Sequence, residues 1–302
     1  MKEYIISEKE EGTTLLKYCT RILPLSGQGM LRKFLRNKNI ELNGKRSDGS
    51  DRLMSGDRVS FFLSDETFDK FHGQGKTKKY AEPLDTSRII FENDDILIYD
   101  KPAGILSQSD ISGEVSVNDM LLSYIEKEDA FTPSICNRLD RNTSGIILAG
   151  VSAKGILALD RAIKKRKIKK YYQCICEGIF DNEGPAEFFL KKDASRNISV
   201  ISDTPKPGFD AVRTDFHVIK TGKGYTLLNA ELITGKPHQI RATLSYLLHP
   251  LVGDIKYGAK KGIARRHLLH SCKVVFPKDI LDGREFYAPL PDDMNGFMKE
   301  HF

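Results

Sequence analysis

The spacing of apolar positions divides this chain into a short segment with helices and a long segment of strands. Apolar residues within 30–35 recur at helical intervals and share one face of a predicted helix. Two apolar runs, 40–42 and 59–62, then predict strands, and Asn43-Gly44 is a dipeptide that favours a tight hairpin turn. Residues 1–63 are therefore predicted to form a separate small α+β domain.

Residues 64–84 interrupt this pattern with polar side chains. Two glycines, Gly73 and Gly75, favour an irregular backbone, and lysines that follow at 76, 78 and 79 add positive charge. We expect a flexible basic linker over 64–84.

From residue 85 onward, short strand-like runs recur and helical segments are few. Runs separated by turn residues predict strands at 89–91, 96–99, 146–149, 170–177, 212–219 and 225–232. Helical spacing predicts helices at 117–127, 153–165 and from about 238 onward. Residues 181–209 are predicted to be irregular, and 286–302 to be peripheral. Many strands with few helices favour an α+β fold, a mixed sheet with flanking helices over 85–302.

A charged turn is the most unusual feature of the second segment. Residues 137–145, Asn-Arg-Leu-Asp-Arg-Asn-Thr-Ser-Gly, directly precede the apolar run 146–149, which predicts two strands joined by a polar turn. Asp140 stands between Arg138 and Arg141, and nearby positive charge favours an ionised carboxylate. Such a carboxylate is a candidate nucleophile, base or metal ligand. On these residues alone, an ordinary surface turn with an ion pair is the alternative.

The charge distribution favours a polyanionic partner. The chain has 302 residues with 47 Lys and Arg against 41 Asp and Glu, a net charge of +6. A dense basic cluster lies within ten residues: Arg161, Lys164, Lys165, Arg166, Lys167, Lys169 and Lys170. Clusters of this kind are typical of nucleic-acid-binding surfaces and also of solvated helix faces.

Cysteine usage and hydropathy argue against several other classes of protein. The five cysteines contain no Cys-x-x-Cys pair, and no Cys and His set has zinc-like spacing. His238 has no second His or carboxylate at ligand spacing, so we expect no metal site. The N-terminus lacks an apolar signal region, and no run approaches the roughly 18 apolar residues of a membrane span. We therefore expect a cytoplasmic protein without a membrane partner.

The charged turn resembles the His-Arg-Leu-Asp-x-x-Thr-Ser-Gly signature of the RluA family of RNA pseudouridine synthases. It departs from that signature only at Asn137, where the family usually has His. Further segments resemble family motifs in the family's order, and together they span most of residues 85–276. They lie at 101–104 (Lys-Pro-Ala-Gly), 170–178, 234–241 (with Lys236 for the usual Arg), 253–258 and 267–270.

The resemblance implies roles for individual residues. Asp140 matches the catalytic aspartate, and Arg241 matches the arginine that pairs with it. Tyr172, aligned through Gly178, matches a tyrosine that stacks on the uracil and helps to move a proton, although Tyr171 lies next to it. Arg138 matches a residue that fills the space of a flipped base. The remaining RNA-binding candidates are Arg141 and Lys170.

The resemblance also implies an architecture. The family fold is a large, mostly antiparallel sheet with the active cleft across its middle. Residues 1–63 resemble the S4 RNA-binding domain, whose second helix presents basic side chains to RNA phosphates. In this chain those side chains are Arg32, Lys33 and Arg36.

The implied function is conversion of uridine to pseudouridine in structured RNA, by base flipping and an aspartate-dependent cleavage and re-formation of the glycosidic bond. The reaction needs no cofactor because nothing is added or removed. Relatives with an S4 domain most often modify 23S ribosomal RNA. We expect a monomer with no obligatory protein partner. The alternatives are a transfer RNA substrate, a catalytically inactive RNA-binding protein, and a different RNA enzyme such as a nuclease or glycosylase.

Overall fold

The computed structural model describes residues 1–72, 81–110, 113–125 and 131–302. Its helices are α1 (Leu15–Ile22), α2 (Gln28–Arg36), α3 (Asp65–His72), α4 (Val117–Tyr124), α5 (Ala153–Lys164), α6 (Gln239–Tyr246) and α7 (Asp292–His301). Its strands are β1 (Lys2–Ile5), β2 (Ile40–Leu42), β3 (Arg58–Phe61), β4 (Ile89–Glu92), β5 (Ile96–Lys101), β6 (Ser134–Ile135), β7 (Ser144–Gly150), β8 (Lys169–Glu177), β9 (Gly184–Asp193), β10 (Ile198–Ser202), β11 (Asp210–Gly222), β12 (Tyr225–Leu232), β13 (Leu269–Val275) and β14 (Glu285–Tyr287). Within the described residues, no helix has the length and apolar character needed to span a membrane.

The strands form a small sheet and a large one. The small sheet has the order β1-β3-β2, and all its neighbours are antiparallel. The large sheet has the order β10-β9-β11-β12-β8-β13-β7-β5-β4, with β14 beside β13 and β6 beside β7. Neighbours from β10 to β13 are antiparallel, whereas β13 and β7 are parallel. The predicted α+β class with a large, mostly antiparallel sheet is confirmed.

The chain forms two compact units. One consists of residues 1–98, 108–137 and 148–160, and the other of 99–107, 138–147 and 161–302. Strands β5 and β7 each contribute residues to both units. The domain boundaries predicted at 63 and 84 stay a prediction.

A hydrophobic cluster in the first unit consists of residues from the N-terminal 72 positions. Leu31 and Leu35 of α2 are fully buried in it, as helical spacing predicted, whereas Met30 is exposed. Asn43 and Gly44 have φ values of 51° and 71°. Two successive positive φ angles are the mark of the type I′ turn that this dipeptide favours, so the predicted turn is confirmed.

The expectation of an irregular linker over 64–84 was wrong for residues 65–72, which form α3. Phe68 is buried in the N-terminal cluster and Phe71 packs against it. These two rings are three residues apart and therefore lie on one face of the helix. Their burial outweighs the polar composition of the segment. The glycines and lysines at 73–79, on which the linker prediction rested, lie outside the described residues.

Two further expectations were wrong. The segment 181–209 contains β9 and β10, which form an antiparallel pair along one side of the large sheet. The apolar signal of β9 is interrupted by exposed charged side chains at Glu187, Lys191 and Lys192, and β10 is a short strand of five residues at the edge of the sheet. The tail contains α7, whose Met294 and Phe297 are buried in a hydrophobic cluster.

Candidate active site around Asp140

Asp140 lies in the loop that joins β6 to β7. These strands pair antiparallel, so the predicted arrangement of strand, polar turn and strand is confirmed. Asn137 Oδ1 accepts a hydrogen bond of 2.7 Å from the backbone N–H of Leu148. The side chain that departs from the family signature therefore ties the start of the loop to the strand that leaves it.

Gly145, at the end of the loop, allows the neighbouring strand to approach closely. It has a φ of 106°, and a Cβ atom at this position would lie 2.2 Å from the carbonyl oxygen of Ser271. Ser271 of β13 is opposite Gly145 on one side and opposite Tyr172 of β8 on the other. A glycine is required because any side chain would collide with the β13 backbone.

Two buried cations hold the backbone of the loop. The ammonium of Lys101 donates to the carbonyl oxygens of Pro102, Ile105 and Arg141, each at 2.9 Å. Burial lowers the pKa of Lys101 to about 7, but three carbonyl acceptors favour the charged form. Arg266 Nη1 donates to the carbonyl oxygen of Asn142 at 2.9 Å. The peptide groups on either side of Asn142 are therefore fixed from inside the unit.

Hydroxyl and imidazole groups fix the rest of the loop. Ser107 Oγ donates to the carbonyl oxygen of Leu139 and accepts from its N–H. Thr143 Oγ1 lies 2.9 Å from His267 Nε2, and the Ser144 hydroxyl lies 2.9 Å from Nδ1 of a second buried histidine, at position 270. The loop is thus held along its whole length before any RNA is bound, which is the arrangement expected of a preorganised site.

The carboxylate of Asp140 pairs with Arg241, as the family resemblance implied. Arg241 Nη1 donates to Asp140 Oδ2 at 2.7 Å, while Nε and Nη2 bind the two oxygens of Asp254 at 2.7 and 2.9 Å. Arg241 and Asp254 are buried, whereas the Asp140 side chain is 24% exposed. The structure therefore fixes the carboxylate and leaves it accessible from solvent.

The surroundings of Asp140 favour its ionised form. Burial raises the pKa of the Asp140 carboxyl. The charges of His238 and Arg241 and the hydrogen bond from Arg241 lower it by more, so the pKa is lowered overall. Burial also lowers the pKa of His238 to about 4, so near neutral pH the stabilising charge belongs to Arg241. The sequence attributed this effect to Arg138 and Arg141, whereas the largest favourable contributions come from His238 and Arg241.

Tyr172 and Tyr171 point to opposite faces of β8. Tyr172 is buried and hydrogen-bonded to the Ser271 side chain, and the charge of Asp140 contributes to raising its pKa. Burial raises the pKa of Tyr172 to about 12. Tyr171 instead lies next to Lys273, with the ammonium 5.4 Å from the ring centroid. Of the two adjacent tyrosines, Tyr172 is the one near Asp140.

The central part of the chain matches the model of a known protein family. Residues 95–246 match the model of the RNA pseudouridylate synthase family. This chain is an RNA pseudouridylate synthase. It is 28% identical to an uncharacterised RNA pseudouridine synthase of Mycoplasma genitalium, over 91% of this chain and 89% of that protein. It is 31% identical to the ribosomal large subunit pseudouridine synthase D of Vibrio vulnificus, over 70% and 69% of the two chains.

The fold agrees with this family. The structure of human RNA pseudouridylate synthase domain containing 4 superposes with a TM-score of 0.60 at 18% identity, over 71% of this chain and 92% of that chain. As a pseudouridylate synthase, the protein is an isomerase that converts uridine to pseudouridine in RNA. The predicted family and the predicted enzyme class are confirmed.

The structure places the predicted RNA-binding residues of the synthase in different settings. Arg138 and Arg141 are exposed on the loop, and within the described residues Arg138 makes no ion pair with Asp140. Lys170 is partly buried beside Gly235, and burial lowers its pKa. The other three, Arg32, Lys33 and Arg36, are exposed on α2 in the first compact unit.

Several residues of the synthase site were missed by sequence reasoning. Asp254 belongs to a segment that the motif pattern included without a role, and Lys101, Arg266 and His238 were given no contact with the loop. Lys101, Arg266 and His238 contact carbonyl or carboxylate oxygens of a loop that is distant in the chain, and such contacts leave no periodic pattern. Asp254 acts on the site through Arg241. For Lys101, His238 and Asp254, the one available signal was their position inside matched motifs, whereas Arg266 lies just before one. Among the described residues, no group of three or more His, Cys, Asp or Glu side chains is arranged to hold a metal ion.

Proposed function

We propose that this synthase modifies specific uridines of 23S large-subunit ribosomal RNA and uses Asp140 to break and re-form the bond between base and sugar. The observation that carries the proposal is the accessible Asp140 carboxylate, bound at 2.7 Å by a buried arginine. The ribosomal substrate is supported by the name of the Vibrio vulnificus relative.

The chemistry requires a bound base but no cofactor. The N1–C1′ bond breaks, the uracil turns over, and a C5–C1′ bond forms. N1 gains a proton and C5 loses one, so the atoms balance within the nucleotide. A stacked uridine is out of reach, so the nucleotide flips out at a cost of a few kcal/mol. Arg138, exposed two residues before Asp140, fills the space that the base leaves.

Two routes begin from the same ionised carboxylate. In one, Asp140 attacks C1′ and forms a covalent intermediate; in the other, it removes the C2′ proton as the uracil departs and a glycal forms. Tyr172 remains protonated near neutral pH because its pKa is raised to about 12. It therefore serves as a stacking partner and proton donor to the uracil rather than as the base.

The N-terminal residues supply affinity for the RNA backbone. Helix α2 carries exposed Arg32, Lys33 and Arg36, and the tight turn at Asn43-Gly44 follows it, as in the S4 domains that this segment resembles. Lysine and arginine contacts to phosphates give affinity without reading the sequence. Arg141, on the same loop as Asp140, and Lys170, beside Gly235, add further positive charge.

The decisive experiment measures tritium release from [5-³H]uridine-labelled 23S ribosomal RNA incubated with the purified protein and no added cofactor. Release is expected because C5 loses its hydrogen when the new bond forms. The matched control is Asp140→Asn, which should release none. Sequencing of the product RNA then locates the modified uridine.

The other outcomes are equally informative. Release from transfer RNA but not from 23S RNA would overturn the ribosomal substrate and keep the chemistry. No release from either RNA, together with tight binding to both, would favour an inactive RNA-binding protein. A primary isotope effect with deuterium at C2′ would support the glycal route, and its absence would support attack at C1′.

A further inference from the structure

His238 stands beside Asp140 in an uncommon backbone conformation. Its φ and ψ are 54° and 19°, the left-handed region, at the residue that precedes α6. Residues other than glycine adopt this conformation at a cost of about 1–3 kcal/mol, and such residues cluster at functional sites. The His238 side chain is only 10% exposed, so its surroundings, rather than solvent, determine its orientation.

A chain of hydrogen bonds determines which ring nitrogen of His238 carries the proton. The backbone N–H of Ser199 donates to Tyr257 Oη at 2.7 Å. Tyr257 Oη lies 2.9 Å from His238 Nδ1. Because the Ser199 N–H can only donate, the phenol oxygen accepts it, and this arrangement favours donation by the phenol O–H to Nδ1. A neutral ring with Nδ1 as acceptor carries its proton on Nε2.

The protonated nitrogen faces the catalytic carboxylate. His238 Nε2 lies 3.7 Å from Asp140 Oδ1, while Arg241 binds the other oxygen, Oδ2. The ring is neutral near pH 7 because burial lowers its pKa to about 4. The positive charges of Arg241, Lys192 and Lys256 also disfavour the imidazolium, whereas the carboxylate of Asp140 opposes them.

We propose that His238 is a positioning residue for the reaction proposed above, and that its Nε2–H donates to Asp140 Oδ1 and fixes the plane of the carboxylate. This inference rests on the proposed function of Asp140. The distance of 3.7 Å is longer than a hydrogen bond, and catalytic hydrogen bonds often shorten only when substrate is bound. The second lone pair of Oδ1 stays available to the sugar, and no proton is transferred.

A matched pair of substitutions at His238 separates this role from a structural one. His238→Asn tolerates the left-handed conformation and keeps a polar group at the Nδ1 position, but it cannot reach Asp140. His238→Gln places an amide N–H near the position of Nε2. We expect kcat to fall about 10- to 100-fold in His238→Asn, the effect of one hydrogen bond to a charged group, with KM within about threefold. His238→Gln should recover most of the lost kcat.

Two results would overturn the proposal. One is an unchanged kcat in His238→Asn, and the other is an equal loss in the Asn and Gln variants, which would indicate a packing effect. Tyr257→Phe provides a third variant, since it removes the O–H that donates to Nδ1 and leaves the ring in place. A several-fold loss of kcat is expected there, and no loss would contradict the hydrogen-bond chain.

An independent readout does not require activity. Nitrogen-15 NMR of histidine-labelled protein, with His238→Asn used to assign the signal, reports the protonated nitrogen directly. We expect a neutral ring protonated on Nε2 in the free protein, and a ring protonated on Nδ1 would overturn the inference. If the wild-type protein releases no tritium from any RNA, the proposed function fails, while this measurement still tests the tautomer.

Discussion

Arg241 binds Asp140 and Asp254 at the same time, with 2.7 Å from Nη1 to the first carboxylate and 2.7 Å from Nε to the second. One cation is therefore shared between a buried carboxylate and an accessible one. The two hydrogen bonds to Asp254 fix the plane of the guanidinium, and that plane directs Nη1 at Asp140. Asp254 thus fixes Arg241, and through it the Asp140 carboxylate, from a buried position.

Asp254→Asn should therefore lower activity without removing any group that meets the substrate. The amide keeps the size of the side chain but loses its charge, which releases the guanidinium. We expect kcat to fall about 10- to 100-fold, measured by single-turnover tritium release. Asp215→Asn is the matched control, because Asp215 also pairs with an arginine, Arg213, but on β11 away from the loop. Equal losses in both variants would contradict the prediction.

Asp140→Asn should abolish turnover and leave RNA affinity within several-fold of the wild-type value. The amide cannot act as a nucleophile or a base, whereas the basic residues that contact phosphates are unchanged. Tritium release measures the first quantity and filter binding the second. Undiminished release in this variant would refute the assignment of Asp140.

The two adjacent tyrosines should differ sharply in their effect. Tyr172→Phe removes a hydroxyl that stays protonated, so the ring still stacks but donates no proton. We expect a loss in kcat of about 100-fold, the scale of general acid catalysis. Tyr171→Phe should behave like the wild type, because Tyr171 lies on the opposite face beside Lys273. A larger loss in Tyr171→Phe than in Tyr172→Phe would reverse the assignment.

Gly145→Ala should unfold the site because it places a methyl group against the β13 backbone. The contact of 2.2 Å involves a carbonyl oxygen in a sheet, which cannot move aside without breaking the strand pairing. We expect the free energy of unfolding to fall by more than about 3 kcal/mol in urea denaturation. Gly258→Ala controls for backbone strain, since Gly258 also has a positive φ, of 94°, but open space around it. That variant should lose about 1 kcal/mol.

Buried histidines should make the fold sensitive to acid. Burial lowers the pKa values of His267 and His270 to about 4 from an ordinary value of 6.5. The unfolded chain therefore takes up protons first as the pH falls, so stability present above 6.5 is lost between 6.5 and about 4. His270→Asn should reduce the slope of unfolding free energy against pH by about 1.4 kcal/mol per pH unit in this window. An unchanged slope would show that His270 is protonated in the folded state.

The sequence predicted the pair of charged side chains at the site but not the contacts that hold the backbone around it. Asp140 and Arg241 were paired through motif resemblance although they are far apart in the chain, and the structure brings them to 2.7 Å. The contacts of Lys101 and Arg266 were not predictable, because their acceptors are backbone carbonyl oxygens that any sequence provides. Positions fixed by side-chain identity can be read from a sequence, whereas positions fixed by backbone geometry require coordinates.

Strand and helix predictions failed where burial was one-sided. Strand β9 has charged side chains at exposed positions, which interrupt its apolar pattern, and β10 has only five residues. Helix α3 shows only two buried or half-buried rings, Phe68 and Phe71, among polar neighbours. Short elements with one or two anchoring residues give a weak periodic signal.

The departure at Asn137 has a simple account. Its side-chain oxygen accepts the N–H of Leu148 across the base of the loop. An amide therefore closes the loop in this chain at the position where the family usually has an imidazole.

In the loop around Asp140, the backbone conformation and the exposed side chains can change independently. Its carbonyl groups are held from within by Lys101 and Arg266, while the side chains of Arg138, Arg141 and Asn142 face solvent. Substitutions at these three outward positions would change the exposed surface of the loop and leave in place the backbone that carries the carboxylate. If this surface meets the RNA as proposed, such a loop can be redirected to a different uridine without rebuilding the catalyst.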